Sequence, residues 1–444
     1  MSMWKSASRW LLILMVLGGL WGCQSPLMKR PSPTAAGLDP AEIQDAQAER
    51  EVSNMVTWNQ YFDRAEDIRK SIKQNRLEQM AKAGKTGKKT ILALSGGGSL
   101  GAYTAGVLYG WTQTGQRPNF DVVTGVSTGS LIGAIAFLGP EYDEILKRSY
   151  TTITNDDVLK RKFILTSILS DSLASNAPLL KTIESIITPE YIVRVIAEHA
   201  KGRRLYVGTT ELESRRHVVW DMGEIATRHG PNDRELFCRI LLASAAIPGF
   251  FPPVEIPITV NGETYYEKHI DGGVSAAVFA RPPYSQNPTE ALNTDTGLYV
   301  IIAGKLYATP SDVKMRALSI ASTAISAMTY TQTRDELFKM YTACLLTGTD
   351  FKYISLNKNY SGSEDATKFE PAEMTKLFEE GRRQIQAAES WRTIPPGRTT
   401  EESPDMRYST MLEGGAPLKV KGRTQMPFDG TQTLPPGTYI QRNN

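Results

Sequence analysis

Hydrophobic and polar positions divide the chain into zones of different period. From Lys88 to Trp391, short apolar runs alternate with longer stretches of helical spacing. The run TILAL (Thr90–Leu94) has the length of a buried strand. The following LGAYTAGVLYGW sets Leu100, Tyr103, Val107, Leu108 and Trp111 near a 3.6-residue repeat, which predicts a helix. FDVVTGVSTGSLIGAIAFLG (Phe120–Gly139) repeats that order of strand, tight turn and helix. RRLYVGTTEL and RRHVVWDM predict two further strands, and RELFCRILLASAAI predicts a helix that stops at Pro248. TYYEKHI reads as an apolar strand ending at Asp271, and GLYVIIAG as another strand. FEPAEMTKLFEEGRRQIQAAESW predicts an amphipathic helix with Pro371 near its first turn. Strands alternating with helices predict an α/β fold, a mainly parallel sheet sandwiched by helices.

The flanks break this pattern. Residues 59–87 hold a charged helical stretch whose sparse apolar positions include Tyr61, Phe62, Ile68, Ile72, Leu77 and Met80, followed by a basic linker. The stretch predicts a solvated helix leaning on the main domain. GKTGKKT in that linker lacks the spacing of a phosphate loop and precedes a strand instead of following one. Residues 23–58 are rich in Pro, Ala, Gln and Glu and read as a tether. Residues 392–444 contain two Pro-Pro-Gly runs and read as an extension without a core of its own. At the other end, Lys5 and Arg9 precede an apolar run from Trp10 to Leu20, the order of a signal peptide over residues 1–22. The run is shorter than the roughly twenty residues of a membrane span. LWGC (Leu20–Cys23) resembles the bacterial lipobox, although Trp21 is larger than the residue usual there. The resemblance implies lipidation at Cys23 and, with Gln24 in place of Asp, an envelope protein of the outer membrane. The alternative is an uncleaved signal anchor with an incidental cysteine.

Composition changes the picture little. The chain has 444 residues, 41% hydrophobic and 22% charged, as an ordinary globular protein does. A formal net charge of +3 gives no support for nucleic-acid binding. Cys238 and Cys344 read as buried thiols or as a pair. No CxxC and no zinc-like spacing occurs, so neither a metal nor a cofactor is expected.

The candidate chemistry lies in the second strand–turn–helix. Gly125-Val126-Ser127-Thr128-Gly129 is G-x-S-x-G, the nucleophile elbow. A serine on so tight a turn needs small flanking residues, and the helix that follows favours negative charge at its start. A serine hydroxyl also needs a base. The four histidines, His199, His217, His229 and His269, have no recognisable catalytic context and read as surface or packing residues. Asp271 in HIDGG ends a strand and is followed by Gly272 and Gly273, so a carboxylate stands accessible at the sheet edge where open α/β folds place chemistry. His269 would share its strand face.

GGGSLGAY, GVSTG and DGG, in this order, resemble the patatin-like phospholipase family, and ASAAIPGFFPP resembles the family's segment between serine and aspartate. The resemblance spans residues 88–391 and implies the patatin-like acyl hydrolase fold. It also implies a Ser-Asp dyad of Ser127 and Asp271 and an oxyanion loop over Gly96, Gly97, Gly98 and Ser99. The family often carries Arg or Lys where this chain has Leu100. The implied activity is hydrolysis of lipid or phospholipid esters through an acyl-enzyme.

Two rival readings exist. Gly96, Gly98 and Gly101 also fit G-x-G-x-x-G, but the acidic residue at about the right distance, Asp121, starts the second strand instead of ending it. A non-catalytic envelope lipoprotein, with the fold kept as a binding or scaffold module, is the other.

Overall fold

The computed structural model describes residues 64–82, 87–158, 160–161, 174–228, 230, 232–280, 295–309, 313, 317–387 and 390–395. The signal peptide, Cys23, the tether, His229 and nearly all of the C-terminal extension lie outside them.

The strands predicted from short apolar runs form one sheet. β1 (Lys88–Leu94), β2 (Val122–Val126), β3 (Arg204–Glu211), β7 (Asp295–Ile302) and β8 (Asp350–Ser355) run parallel in the order β8-β7-β1-β2-β3. β1 and β2 are almost wholly buried, as expected of strands covered on both faces. One face is packed by α2 (Gly101–Gln113), α3 (Thr128–Leu138), α4 (Asp143–Thr151), α5 (Ala177–Ile186), α6 (Pro189–Ala200), α7 (Asp233–Ser244) and α9 (Pro371–Gln386). The other is covered by the second half of α8 (Ala317–Thr347), through Leu337, Met340, Tyr341, Cys344 and Leu345. α8 escapes sequence reading because its first half is a run of Ala, Ser and Thr with no helical stripe. Ile325 and Met328 there are 64% and 71% exposed.

The predicted charged helix is α1, residues 64–82. It leans on the domain through Asp350, which pairs with Arg69 at 3.1 Å and Lys73 at 2.5 Å. Cys238 and Cys344 are separate buried thiols.

The sheet is mixed where the mainly parallel expectation is silent. β4 (Arg216–Asp221), β5 (Val254–Val260) and β6 (Glu263–Asp271) are antiparallel to their neighbours. β5 and β6 form a hairpin about Asn261 and Gly262, with φ of 53° and 84°, the backbone that Asn-Gly supplies most easily. β6 is not the apolar strand expected: only its last three residues, His269, Ile270 and Asp271, are buried. β5 buries Val254 and Ile256 in the core, while the turn end of the hairpin, from Thr259 to Tyr266, stands in solvent.

The pairing along β3 sets up the site. Its first five residues pair with β2, up to Val126↔Gly208. Its next three pair with β6, from Thr209↔Asp271 to Glu211↔His269. Since β4 occupies the opposite edge over Tyr206–Glu211, β2 and β6 lie on one edge of β3 and meet end to end. Ser127, one residue past Val126, and Asp271 therefore arrive at the same level of β3.

Candidate active site

Ser127 joins β2 to α3 with φ 54° and ψ −130°, a backbone that residues with side chains rarely adopt. Such strain is of the order of 1–3 kcal/mol and persists only where packing imposes it. The flanking glycines show the constraint. A β-carbon on Gly125 would stand 2.3 Å from the Gly129 carbonyl oxygen, and one on Gly129 would stand 2.5 Å from the Ser95 carbonyl oxygen. Ser244 braces the turn: its Oγ accepts from the Ser127 N–H at 3.0 Å and donates to the Gly208 carbonyl at 2.7 Å. Ser244 is fully buried at the end of α7.

Ser127 Oγ donates to Asp271 Oδ2 at 2.5 Å. The other carboxylate oxygen accepts from the Gly273 N–H at 2.7 Å, and the Asp271 N–H donates to the Ala246 carbonyl at 2.9 Å. Gly272 permits this approach, since a β-carbon there would lie 2.3 Å from the Gly208 oxygen. Both side chains are nearly buried, Ser127 at 5% and Asp271 at 6% exposure. Burial pushes the Asp271 carboxyl up to about 6, with the bonds from Ser127 and Gly273 pulling the other way. A carboxylate so placed is a stronger base than a solvated one and is still ionised near neutral pH.

No histidine ring among the described residues bonds to either side chain. His269 lies on Asp271's strand, but its Nδ1 faces Thr209 Oγ1 at 3.0 Å and its Nε2 faces Glu267 at 3.1 Å. His217 meets Ser275 Oγ at 2.9 Å, and His199 lies near Asp221 and Glu224. The packing reading of these three agrees with their contacts.

The glycine loop lies against the elbow. A β-carbon on Gly96 would be 3.2 Å from Ser127 Cβ. The four expected N–H donors do not stand equally ready. Gly96 already donates to the Ala277 carbonyl at 3.1 Å and Ser99 to the Ala366 carbonyl at 2.9 Å. The available set narrows to Gly97 and Gly98, which have no acceptor among the described residues. Thr128 joins them, its N–H orphaned at the start of α3 as helix geometry requires. Its hydroxyl is engaged with Tyr150 OH at 2.6 Å. Leu100 is buried at 8% exposure and serves the core.

Asp121 removes the dinucleotide reading. It binds Lys89 Nζ and the Thr90 N–H, both at 2.8 Å, where β1 and β2 begin. The glycines stand where β1 ends, so no ligand phosphate on that loop brings a ribose to Asp121.

An apolar cavity of about 80 Å³ adjoins Ser127. Ser127 and Gly98 contribute to its wall, with Leu131, Ile135, Ile183, Leu241, Phe251 and Phe369 among the rest. Sequence reading missed this cavity, because its walls come from helices far apart along the chain. It also missed Ser244, although ASAAIPGFFPP held the signal. Among the described residues, no cluster of three or more His, Cys, Asp or Glu is suited to a metal, and no helix is long and apolar enough to cross a membrane.

A family model described as patatin-like phospholipase matches residues 92–284, which include Ser127 and Asp271. No curated protein matches the chain in sequence. Among solved structures, VipD from Legionella pneumophila is 12% identical, with 69% of this chain and 68% of that one covered at a TM-score of 0.33. The type III effector protein ExoU is 13% identical at a TM-score of 0.28, with 67% of this chain covered but only 52% of the ExoU chain.

Proposed function

We propose that this chain, whose residues 92–284 match the model of the patatin-like phospholipase family, cleaves the acyl esters of lipids with Ser127 as nucleophile and Asp271 as base. The observation that carries this reading is the 2.5 Å bond between Ser127 Oγ and Asp271 Oδ2 beside an apolar cavity. Asp271 takes the Ser127 proton as Oγ attacks the ester carbonyl carbon. The carbonyl oxygen gains the negative charge and receives bonds from the Gly97, Gly98 and Thr128 N–H groups. Each such donor contributes about 3 kcal/mol to the transition state. As the tetrahedral centre collapses, Asp271 returns the proton to the departing alcohol, which leaves Ser127 acylated. Asp271 then deprotonates a water that attacks the acyl-enzyme and frees the fatty acid and the serine. The acyl chain occupies the apolar cavity, and the head group stays outside it. That site order suits a lipid or phospholipid.

The protein works at a bacterial membrane, held by acyl groups on Cys23 in the outer membrane of the cell envelope. The basic-then-apolar order before Cys23 supports this part.

Wild-type protein from residue 24 onward is expected to hydrolyse a medium-chain acyl ester and to label with a fluorophosphonate, while Ser127→Ala and Asp271→Asn do neither. Folded wild type that does not label would sink the hydrolase reading and favour a scaffold. Cys23→Ser is expected to abolish lipidation, and unchanged mass and membrane partitioning of that variant would refute the anchor.

A further inference from the structure

Behind the glycine loop runs a strap, residues 361–369, fixed to it by specific bonds. The Ser99 N–H donates to the Ala366 carbonyl at 2.9 Å, and Ser99 Oγ donates to the Asp365 carbonyl at 3.1 Å. Contact is so close that a β-carbon on Gly98 would stand 2.0 Å from the Ala366 oxygen, and Gly98 has φ 53°. At its far end the strap is tied down again, where the Phe369 N–H donates to Asn155 Oδ1 at 3.1 Å and the ring joins the cavity wall.

What holds the strap in the middle is charge. Glu364 Oε1 accepts from Lys305 Nζ at 2.7 Å and from Thr309 Oγ1 at 2.5 Å, and Oε2 accepts from Tyr330 OH at 3.3 Å. The Lys305 side chain is only 4% exposed, and its Nζ also donates to Thr309. Two residues before Lys305, Ala303 supports the loop from the opposite side. The Ala303 N–H donates to Ser95 Oγ at 2.9 Å, and a β-carbon on Gly97 would touch the Ala303 Cβ at 2.6 Å. The loop is thus gripped between the Ala303 turn and the strap, and Lys305–Glu364 closes the grip.

We propose that Lys305 and Glu364 are positioning residues for the hydrolysis, holding the Gly97 and Gly98 N–H groups on the oxyanion through the strap and Ser99. This rests on the acyl hydrolase reading. An ion pair with one partner buried and the other part-exposed is a weak source of stability. Its contribution here is the geometry of the grip.

The test is the paired neutral variant Lys305→Met/Glu364→Gln in the full chain, which leaves no unpaired buried charge. With a soluble short-chain p-nitrophenyl ester, kcat is expected to fall by about 10- to 100-fold, short of losing one oxyanion donor outright. KM is expected to stay within about twofold. Hydrogen exchange at the Ser99 amide is expected to quicken about tenfold, with the β2 amides unchanged. Lys305→Arg, which keeps the charge, is expected to recover most of kcat. Wild-type kcat in the folded double variant overturns the proposal, as does a loss of kcat no larger than its unfolded fraction. If wild type itself neither labels nor hydrolyses, the hydrolase reading has failed. The exchange arm still decides the strap: unchanged Ser99 protection in the double variant overturns the grip as well.

Discussion

Replacing Asp271 by Asn should make the protein inactive and more stable, and the gain should depend on pH. Asn keeps the shape of the site: its oxygen accepts from the Gly273 N–H, and its amide donates to Ser127 Oγ. What it removes is the charge. In the folded protein the Asp271 carboxyl is raised to about 6, because burial disfavours its ionised form more than two hydrogen bonds compensate. In the unfolded chain it titrates near 3.9. Below about pH 4 both states hold the proton, and wild type and Asp271→Asn differ little through this group. Between about 4 and 6 the folded state keeps a proton that the unfolded state has lost, so wild-type stability falls as pH rises. Above about 6 the penalty is complete. Two pK units at 1.36 kcal/mol each make it about 3 kcal/mol. Urea denaturation at pH 4, 5, 6, 7 and 8 should show the advantage of Asp271→Asn growing from near zero to about 3 kcal/mol, then levelling. Activity should fall by at least the 10²–10⁴ of a lost general base. An advantage that is flat across this range, or a variant less stable than wild type at pH 8, refutes the account of Asp271 as a carboxylate held charged against its surroundings.

The same raised carboxyl sets the acid limb of activity: kcat/KM on a neutral soluble ester should fall tenfold per unit below about pH 6, and a limb near pH 4 would contradict it. Ser244→Ala leaves the Ser127 N–H without its acceptor and should lower kcat by about tenfold and stability by about 1–3 kcal/mol, read from steady-state kinetics and denaturation. Ile135→Trp fills part of the cavity and should shift preference towards shorter acyl chains in a p-nitrophenyl ester series, with little change for the acetate ester.

What sequence reading reaches, and what it does not, follows from the range of the interactions. The elbow is local: glycine on either side of Ser127 answers contacts within the turn and with the adjoining end of β1, so GVSTG discloses it. DGG discloses Asp271 in the same way, since Gly272 and Gly273 are needed within two residues of it. The direction of β6 is also signalled locally, by Asn261-Gly262 between two strand-like runs, a turn signal that reading TYYEKHI alone does not use. What the polar run from Glu263 to Lys268 does not show is that only His269 to Asp271 are buried. Which loop N–H groups are free is likewise invisible, because their acceptors, Ala277 and Ala366, belong to distant segments. The parallel strands announce themselves through burial on both faces. The first half of α8, uncharged and with Ile320, Ile325 and Met328 exposed, announces nothing.

The end-to-end meeting of β2 and β6 on one edge of β3 bears on how the protein is made. The strained serine belongs to a strand–turn–helix unit complete within residues 122–138, and such local units form early. Its base lies 144 residues away and arrives only when the hairpin docks on β3, a long-range closure that comes late. On the proposed dyad, a chain still emerging from the ribosome would carry Ser127 without its base. Hydrolytic power would switch on no earlier than the pairing of β6 with β3, and recovery of fluorophosphonate reactivity during refolding would report that step or a later one rather than the return of helix.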